Sequence, residues 1–292
     1  MVEKDISKSR IRLFKKAYEN LEFLESDYAR PIRILSEFLE PVDRLQKENI
    51  KGVVVFFGSA RTLPRKEALK NLKDIQKQVK DKEKIPKDLQ EKLKIAKNSV
   101  LHSKYYEDAV KLAEKLSKWF KKNEKGGKRM AVCSGGGPGI MEAANKGAWQ
   151  VGNDSVGLNI GLPFEQEPNK FQSDDISFIF HYFFIRKFWF SYLARALVVF
   201  PGGFGTLDEM FEIFTLAQTH KSHRSIPIIL YGKEYWEKLI NFQMFVDWNM
   251  VHKEDLALFK IYDTVNDSYE YLTDILSKKE KKFSVGEDPL GS

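Results

Sequence analysis

The chain has 292 residues, 42% of them hydrophobic, and a formal net charge of +7. These values exclude a disordered chain and predict a folded globular protein with one large core. No apolar run approaches the roughly 20 residues that cross a bilayer, so we expect neither a membrane span nor a signal peptide. A single cysteine, Cys133, excludes an intrachain disulfide and is typical of a reducing compartment. We therefore expect a cytoplasmic protein.

Residues 1–50 are expected to form an N-terminal helical extension. Two helices are predicted between residues 8 and 48: the first has an apolar stripe from Phe14 to Leu24, and the second begins near Pro31. Residues 51–282 are assigned to the main domain, and 283–292 to a flexible polar tail.

A charged insertion at 65–97 carries most of the net charge, with 12 basic and 6 acidic residues. Apolar residues recur there at helical spacing in two runs, Leu69, Leu72, Ile75 and Val79, then Leu89, Leu93 and Ala96. No aromatic residues interleave the charges, which favours a solvated helical hairpin, broken near Pro86, over a nucleic-acid-binding arm.

Strands and helices alternate through the rest of the chain. Strands are predicted at 51–57, 129–133, 155–160, 178–181, 197–200, 226–231 and 256–261, and helices at 105–120, 140–150, a segment ending at 192, 206–218, 233–248 and 267–279. Repeated strand–helix units with continuously apolar strands predict an α/β fold, a Rossmann-like doubly wound parallel sheet with helices on both faces.

Three glycine-containing turns, at 58–61, 134–139 and 201–206, follow predicted strands. Ligands of such sheets bind beyond the carboxyl ends of the strands, where backbone N–H groups and helix N-termini attract anions. The candidate phosphate-binding residues are Gly58, Ser59, Ser134, Gly135, Gly136, Gly137, Gly139, Gly202, Gly203, Gly205 and Thr206, the last as a hydroxyl donor or a helix cap.

The turn at 134–139 matches neither the P-loop nor the dinucleotide-binding pattern. A triphosphate hydrolase and a dinucleotide dehydrogenase are therefore not supported, whereas the phosphate of a mononucleotide needs only a few N–H groups. The alternative is a tight turn without a ligand. Two such turns followed by glutamates favour a ligand.

Four charged residues are candidates for the reactive site. Glu142 and Glu209 are each predicted in the first helical turn after a glycine loop, as a pair of carboxylates or as partners of the helix dipoles. Arg186 and Lys187 lie in the aromatic segment 183–190, where they either bind an anion or extend their charged ends into solvent.

No metal site is predicted. His220 and His223 lie three residues apart in a predicted loop, but no further ligands follow them at a recognisable spacing. A serine-nucleophile elbow is also missing from the sequence.

Four motifs carry a resemblance to a known family. Pro201-Gly-Gly-Phe-Gly-Thr-Leu-Asp-Glu209 resembles the PGGxGTxxE signature of the LONELY GUY (LOG) family, phosphoribohydrolases formerly labelled "lysine decarboxylase-like". The segment 134–147 is similar to the second glycine block of the family, and 57–61 and 186–187 fall where the family has its equivalents. Residues 30–41 resemble the helical leader of the longer bacterial branch. The insertion at 65–97 departs from the compact plant-type members.

The resemblance implies hydrolysis of the N-glycosidic bond of a nucleoside 5′-monophosphate, from a cytokinin or an ordinary purine or pyrimidine nucleotide. Arg186 and Glu209 match the catalytic pair of the family, the glycines and Thr206 would hold phosphate, and Glu142 would contact the ribose or support the site. No cofactor is implied, and a homodimer or larger homo-oligomer is expected. The alternative is a nucleotide carrier or sensor that uses the same pocket without turnover. An amino-acid decarboxylase is not favoured, because nothing specifies a pyridoxal phosphate lysine.

Overall fold

The structure is a computed structural model that describes residues 15–80, 82, 84–124, 126–127, 129–161, 167–219 and 226–283. Within these residues no helix has the length and apolar character needed to cross a membrane. Of the predicted tail at 283–292, only Phe283 is described, as the last residue of a helix. Residues 284–292, His220 and His223 lie outside the described residues. The chain divides into two compact units, Met1–Asp43 and Arg44–Ser292.

The smaller unit contains short helical segments where the sequence predicted one longer first helix. A 3₁₀ turn at Ala17–Glu19 is followed by helix α1 (Leu21–Glu25), and Asn20 separates them by accepting a hydrogen bond from the backbone N–H of Phe23. The predicted helix through Leu24 is therefore wrong in its described part, because Asn20 starts a new helix. The predicted second helix is confirmed as α2 (Arg30–Lys47), which has a proline at its second position.

The larger unit is built on a seven-stranded sheet in which every pairing is parallel. The strand order is β4-β3-β2-β1-β5-β6-β7. The strands are β1 (Ile50–Phe57), β2 (Arg129–Ser134), β3 (Ser155–Ile160), β4 (Ser177–Phe180), β5 (Ala194–Val199), β6 (Ile228–Tyr231) and β7 (Phe259–Tyr262). The order runs outward from β1 to β4 and restarts at β5 beside β1, so the topological switch point lies between β1 and β5. This is the predicted Rossmann-like α/β fold.

Helices cover both faces of the sheet, as the sequence predicted. The remaining helices are α3 (Arg65–Val79), α4 (Lys87–Asn123), α5 (Ile140–Trp149), α6 (Phe183–Leu193), α7 (Phe204–Gln218), α8 (Lys233–Leu239), α9 (Phe242–Asp247) and α10 (Val265–Phe283). Val54 and Phe56 of β1 point into a core shared with α4, α5 and α10. The next residue, Phe57, points to the other face, where its ring meets Phe190 of α6 edge-on, with a centroid distance of 4.9 Å.

The charged insertion forms the predicted hairpin, but its second arm does not end within the insertion. Helix α4 runs without a break for 37 residues, from Lys87 to Asn123. It therefore joins the insertion to the helix predicted separately at 105–120, because residues 97–104 contain no glycine or proline to stop it. The amino-terminal part of α4 packs on α3, and its carboxyl-terminal part covers the sheet.

Other boundaries also differ from the predicted ones. The strand predicted at 256–261 is β7 at Phe259–Tyr262, because Lys253–Leu258 form a 3₁₀ helix. The helix predicted at 233–248 is divided into α8 and α9, because Asn241 caps the second segment by accepting a hydrogen bond from the N–H of Met244. Helix α7 begins at Phe204, two residues earlier than predicted. The earlier start of α7 changes the position of Glu209 on its helix.

Candidate active site

The three glycine-containing loops meet at the carboxyl edge of the sheet, as the sequence predicted. The backbone N–H of Ser59 donates to the carbonyl oxygen of Pro201 (3.0 Å), and the N–H of Ile140 donates to that of Ser59 (3.1 Å). Gly58 and Gly139 lie where these loops touch: a Cβ on Gly58 would be 2.8 Å from the Ile140 side chain, and one on Gly139 would be 2.3 Å from the Ser59 oxygen. Both glycines therefore serve the close approach of the loops.

Arg186 and Glu209 lie together beside these loops. The Nη1 atom of Arg186, on α6, is 3.6 Å from Oε1 of Glu209, on α7, and the two side chains are only 13% and 12% exposed. The structure thus brings into one site two residues that are 23 positions apart in the sequence. A buried ion pair of this kind is costly to desolvate, so its presence is not explained by stability alone.

The Arg186 guanidinium links α6 to strand β3 and to the turn after β2. Its Nε atom donates to the carbonyl oxygen of Leu158 on β3 (2.7 Å), and its carbon lies 5.0 Å from the centre of the Phe190 ring. A Cβ on Gly135 would come within 2.5 Å of Nη2, so the glycine turn leaves the space that the guanidinium fills. Burial lowers the pKa of Arg186 from its ordinary value, while the charge of Glu209 acts in the opposite direction.

Glu209 carries a strongly perturbed carboxyl group. Burial raises the pKa of Glu209 to about 7, even though the positive charges of Arg186 and Lys187 lower it. Desolvation therefore outweighs the ion pair. A carboxyl group with this pKa exchanges a proton readily near neutral pH, which is the property required of a general acid or base.

The position of Glu209 differs from the predicted one. Because α7 begins at Phe204 and is capped by Gly203, Glu209 is the sixth helical residue and lies in the second turn. Thr206 is the third helical residue, so the expectation that it caps the helix is wrong. Its Oγ1 points back at Gly202, where a Cβ would come within 2.1 Å.

The start of α7 leaves room for a ligand. A Cβ on Gly203 or on Gly205 would have no heavy atom within 4 Å among the described residues. Open space at a helix N-terminus allows an anion to approach the backbone N–H groups closely. The predicted contacts of Gly202, Gly203, Gly205 and Thr206 with phosphate stay predictions.

Glu142 is hydrogen-bonded to a tyrosine of α4. It lies in the first turn of α5, as predicted, but its Oε1 accepts a hydrogen bond from the hydroxyl group of Tyr106 on α4 (2.5 Å). Tyr106 belongs to the core on the face of α4 and α5. The structure therefore directs Glu142 towards α4, and its pairing with Glu209 stays a prediction.

Lys187 is held by acidic residues of α7. Its Nζ atom lies 2.7 Å from Oδ2 of Asp208 and 3.3 Å from Oε2 of Glu212. These contacts satisfy the charge of Lys187 between the two helices, next to the Arg186–Glu209 pair. Its predicted contact with the substrate stays a prediction.

The turn at 134–139 is held from inside by side chains that the sequence reasoning missed. Asn169 donates from Nδ2 to the carbonyl oxygens of Gly136 (2.9 Å) and Gly137 (3.0 Å), and Gln172 Nε2 donates to that of Gly136 (2.8 Å). Gly136 has a φ of +74°, and a Cβ there would overlap Asn159 Oδ1. These amides turn the carbonyl groups of the loop inward. No spacing in the sequence relates 169–172 to a turn more than 30 residues earlier.

The Ser134 side chain also stabilises the turn at 134–139. Its buried hydroxyl donates to Oδ1 of Asn145 (2.7 Å) and accepts from the N–H of Gly136 (3.1 Å). The side chain of Ser134 and the N–H of Gly136 are thus engaged within the loop, so a role for them in phosphate binding would require these bonds to break.

The described residues contain no cluster of three or more His, Cys, Asp or Glu side chains that could hold a metal ion. The site consists instead of glycine loops, one arginine and one acid with a raised pKa. In a Rossmann-like sheet, this arrangement at the carboxyl edge is typical of a protein that binds a phosphate-bearing ligand.

The comparisons with known proteins agree with the motifs. Residues 141–272, somewhat less than half of the chain, match the family described as "Possible lysine decarboxylase", the domain of the LOG proteins. The matched range includes Glu142, Arg186 and Glu209. The chain is thus a LOG-like protein. Its assignment to the longer bacterial branch stays a prediction. A search of the curated proteins found no match.

Solved structures also resemble the chain. One is a molybdenum cofactor binding protein from the phototrophic bacterium Rippkaea orientalis, with 15% identity over 59% of this chain and 88% of that chain, and a TM-score of 0.41. Another is a Moco carrier protein from Chlamydomonas reinhardtii, with 15% identity over 78% and 99%, and a TM-score of 0.43. Such TM-scores are too low to support an argument, so the fold assignment rests on the sheet itself.

Proposed function

We propose that this protein hydrolyses the N-glycosidic bond of a nucleoside 5′-monophosphate and releases a free base and ribose 5-phosphate. The observation that carries the proposal is the buried pair of Arg186 and Glu209, in which the carboxyl group has a pKa of about 7. A protein that only held a nucleotide would need the glycine loops but not a buried acid poised to exchange a proton.

The proposed binding mode places the phosphate at the open N-terminus of α7. Gly203 and Gly205 leave space there, and the helix end supplies N–H groups and a partial positive charge. With the phosphate fixed, the ribose is directed towards Glu209, which lies one turn further along the same helix. The scissile bond then lies within reach of Arg186.

In the proposed reaction, the bond between C1′ and the base nitrogen breaks, and its electrons leave with the base. The Glu209 carboxylate stabilises the oxocarbenium-like ribose and removes a proton from water, whose oxygen bonds to C1′. The departing base takes up a proton from solvent at its nitrogen, and Glu209 returns to solvent the proton that it removed from water. Arg186 holds the nucleotide and stabilises the negative charge that develops on the base.

We also propose that the protein is a homodimer or larger homo-oligomer. Phe183, Phe184 and Phe188 on α6, together with Phe204 and Phe211 on α7, expose large parts of their rings beside the candidate site, and Phe204 is 92% exposed. Exposed aromatic groups of this kind are typical of interfaces. Light scattering coupled to size-exclusion chromatography tests this: a monomeric mass would contradict it.

The test of the activity is an incubation with a panel of nucleoside 5′-monophosphates, analysed by chromatography for free base and ribose 5-phosphate. Wild type is compared with Glu209→Gln and with Asp208→Asn, a matched control on the neighbouring carboxylate that contacts Lys187 instead of Arg186. We expect release by wild type and Asp208→Asn and none by Glu209→Gln. Bound but unchanged nucleotide would overturn the hydrolase and favour the carrier or sensor.

A further inference from the structure

A second ion pair joins the two helices that carry the candidate catalytic pair. Lys187 follows Arg186 on α6, and its Nζ atom lies 3.3 Å from Oε2 of Glu212 on α7. The Lys187 and Glu212 side chains are 22% and 32% exposed. Glu212 comes three residues after Glu209, so the two carboxylates lie about 60° apart around the helix axis. Neighbouring cations of α6 thus contact two different rows of side chains on α7.

The second pair lies at a gap between the two helices. A cavity of about 350 Å³ separates them there, lined by Phe184 and Lys187 of α6 and by Asp208, Phe211, Glu212 and Thr215 of α7. Because the helices leave this space, side chains that reach across it set their relative position. The contact of Arg186 with Glu209 alone would leave α7 free to rotate about its axis. A second contact, on another row, fixes that rotation and with it the direction of Glu209.

The sequence of α7 favours a cation at this place. Asp208, Glu209 and Glu212 put three carboxylates close together, and like charges four residues apart, at 208 and 212, repel each other. Lys187 lies between these two, with Nζ 2.7 Å from Oδ2 of Asp208. Asp208 is 58% exposed, so water screens that contact and removal of its charge costs little. The contact with Glu212, whose Oε2 atom is buried, is the less screened of the two.

Lys187 also affects the protonation of Glu209. Burial is the main cause of the raised pKa of Glu209, and the charges of Arg186 and Lys187 on α6 lower that pKa. The charges of Glu212 and Asp208 on α7 raise it. Lys187 therefore offsets the two acids beside Glu209 and keeps its carboxyl group partly ionised near neutral pH.

We propose that Lys187 is a positioning residue for the reaction: held by Glu212, it fixes α7 against α6 and directs Glu209 at the scissile bond. It acts through Glu209 and touches no atom of the nucleotide. This role is an alternative to the substrate contact predicted from the sequence, since the ammonium group would have to leave its carboxylate partners to reach a phosphate. The kinetic consequences rest on the proposed hydrolysis, whereas the effect on the pKa of Glu209 is measured without substrate.

The test compares Lys187→Met, which removes the charge but keeps an unbranched side chain, with Lys187→Arg, which keeps the charge. Thr215→Val is the matched control, because Thr215 lines the same cavity and carries no charge. The pKa of Glu209 is measured on the full chain by carboxyl ¹³C NMR, and Glu209→Gln identifies its signal. We expect this pKa to rise in Lys187→Met and to stay close to the wild-type value in Lys187→Arg and Thr215→Val.

Steady-state kinetics on the same variants separate positioning from substrate binding. At a pH well above the midpoint, where Glu209 is ionised in every variant, a loss of kcat reports on its position and not on its protonation. There Lys187→Met should lower kcat about tenfold and change KM less than about threefold, and Lys187→Arg should restore most of kcat.

Three results would overturn the proposal. The first is an unchanged pKa of Glu209 in Lys187→Met, and the second is an equal loss of kcat in Thr215→Val. The third is a KM about tenfold higher in Lys187→Met with unchanged kcat, which would assign Lys187 to the substrate. Failure of the proposed hydrolysis is a different result: wild type then releases no base from any nucleotide, while the NMR titration still reports on Lys187.

Discussion

Two turns of similar sequence, 134–139 and 201–206, place their glutamates in different environments. Each turn follows a buried strand and precedes a helix that carries a glutamate. Glu142 comes early on α5 and bonds to Tyr106, whereas Glu209 is one turn deeper on α7 and is buried against Arg186. The first turn is held by amide side chains, and the second has open space at Gly203 and Gly205. Position on the helix, not the motif alone, thus decides which glutamate is buried against Arg186 and has a raised pKa.

The largest expected effect separates the two glutamates. Glu209→Gln should lower kcat by roughly 10²–10⁴-fold, because it removes the group that exchanges a proton. Glu142→Gln keeps an acceptor for the Tyr106 hydroxyl and should lower kcat less than about tenfold. Steady-state kinetics with the nucleotide cleaved best by wild type measures both. An equal loss of kcat in the two variants would contradict the different roles assigned to Glu142 and Glu209.

The pH dependence of the reaction sharpens the same comparison. With Glu209 acting as a carboxylate, kcat should rise with pH around a midpoint near 7, the value to which burial raises its pKa. Since the charge of Arg186 lowers this pKa, Arg186→Met should move the midpoint upwards. It should also lower kcat at every pH, because the departing base loses the charge that stabilises it. The control is Glu142→Gln, whose midpoint should equal that of wild type. An unchanged pH midpoint of kcat in Arg186→Met would contradict the electrostatic coupling between Arg186 and Glu209.

The support of the first turn predicts a smaller effect on binding. Asn169→Ala removes two bonds to the carbonyl oxygens of Gly136 and Gly137, so the turn that packs against Arg186 becomes less well positioned for the nucleotide. We expect KM to rise about tenfold while kcat changes less than about threefold. Lys170→Ala, at the exposed neighbouring residue, is the control. A fall in kcat with unchanged KM would argue against a role in positioning the nucleotide.

The smallest expected effect concerns stability. Because the pKa of Glu209 rises from 4.5 to about 7 on folding, the folded state binds this proton more tightly than the unfolded chain. The free energy of unfolding should therefore decline as pH rises from about 4.5 to about 7, with a contribution from this group of roughly 1–3 kcal/mol. In Glu209→Gln this part of the decline should disappear. Urea unfolding at several pH values measures the difference, and identical pH slopes in both proteins would contradict the raised pKa.

Much of this fold could be predicted because its signals are local. Apolar runs such as 53–57 and 197–199 mark buried parallel strands, and the glycines after them mark the turns at their carboxyl ends. Helix ends were less predictable. Helix α7 begins after Gly203, and α4 runs on past the end of the insertion. In both places the sequence allows several helix ends, and the sequence alone does not decide between them.

By itself, the sequence determined the order of strands and helices, the three turns and the identity of the charged residues near them, because periodicity and backbone freedom are properties of short segments. Only the tertiary structure decided that Arg186 lies 3.6 Å from Glu209, that Glu142 turns to Tyr106, and that Asn169 holds a turn more than 30 residues away. It also decided the burial that raises the pKa of Glu209. These features depend on which distant segments meet and exclude water, and proximity and desolvation of that kind exist only after the chain has folded.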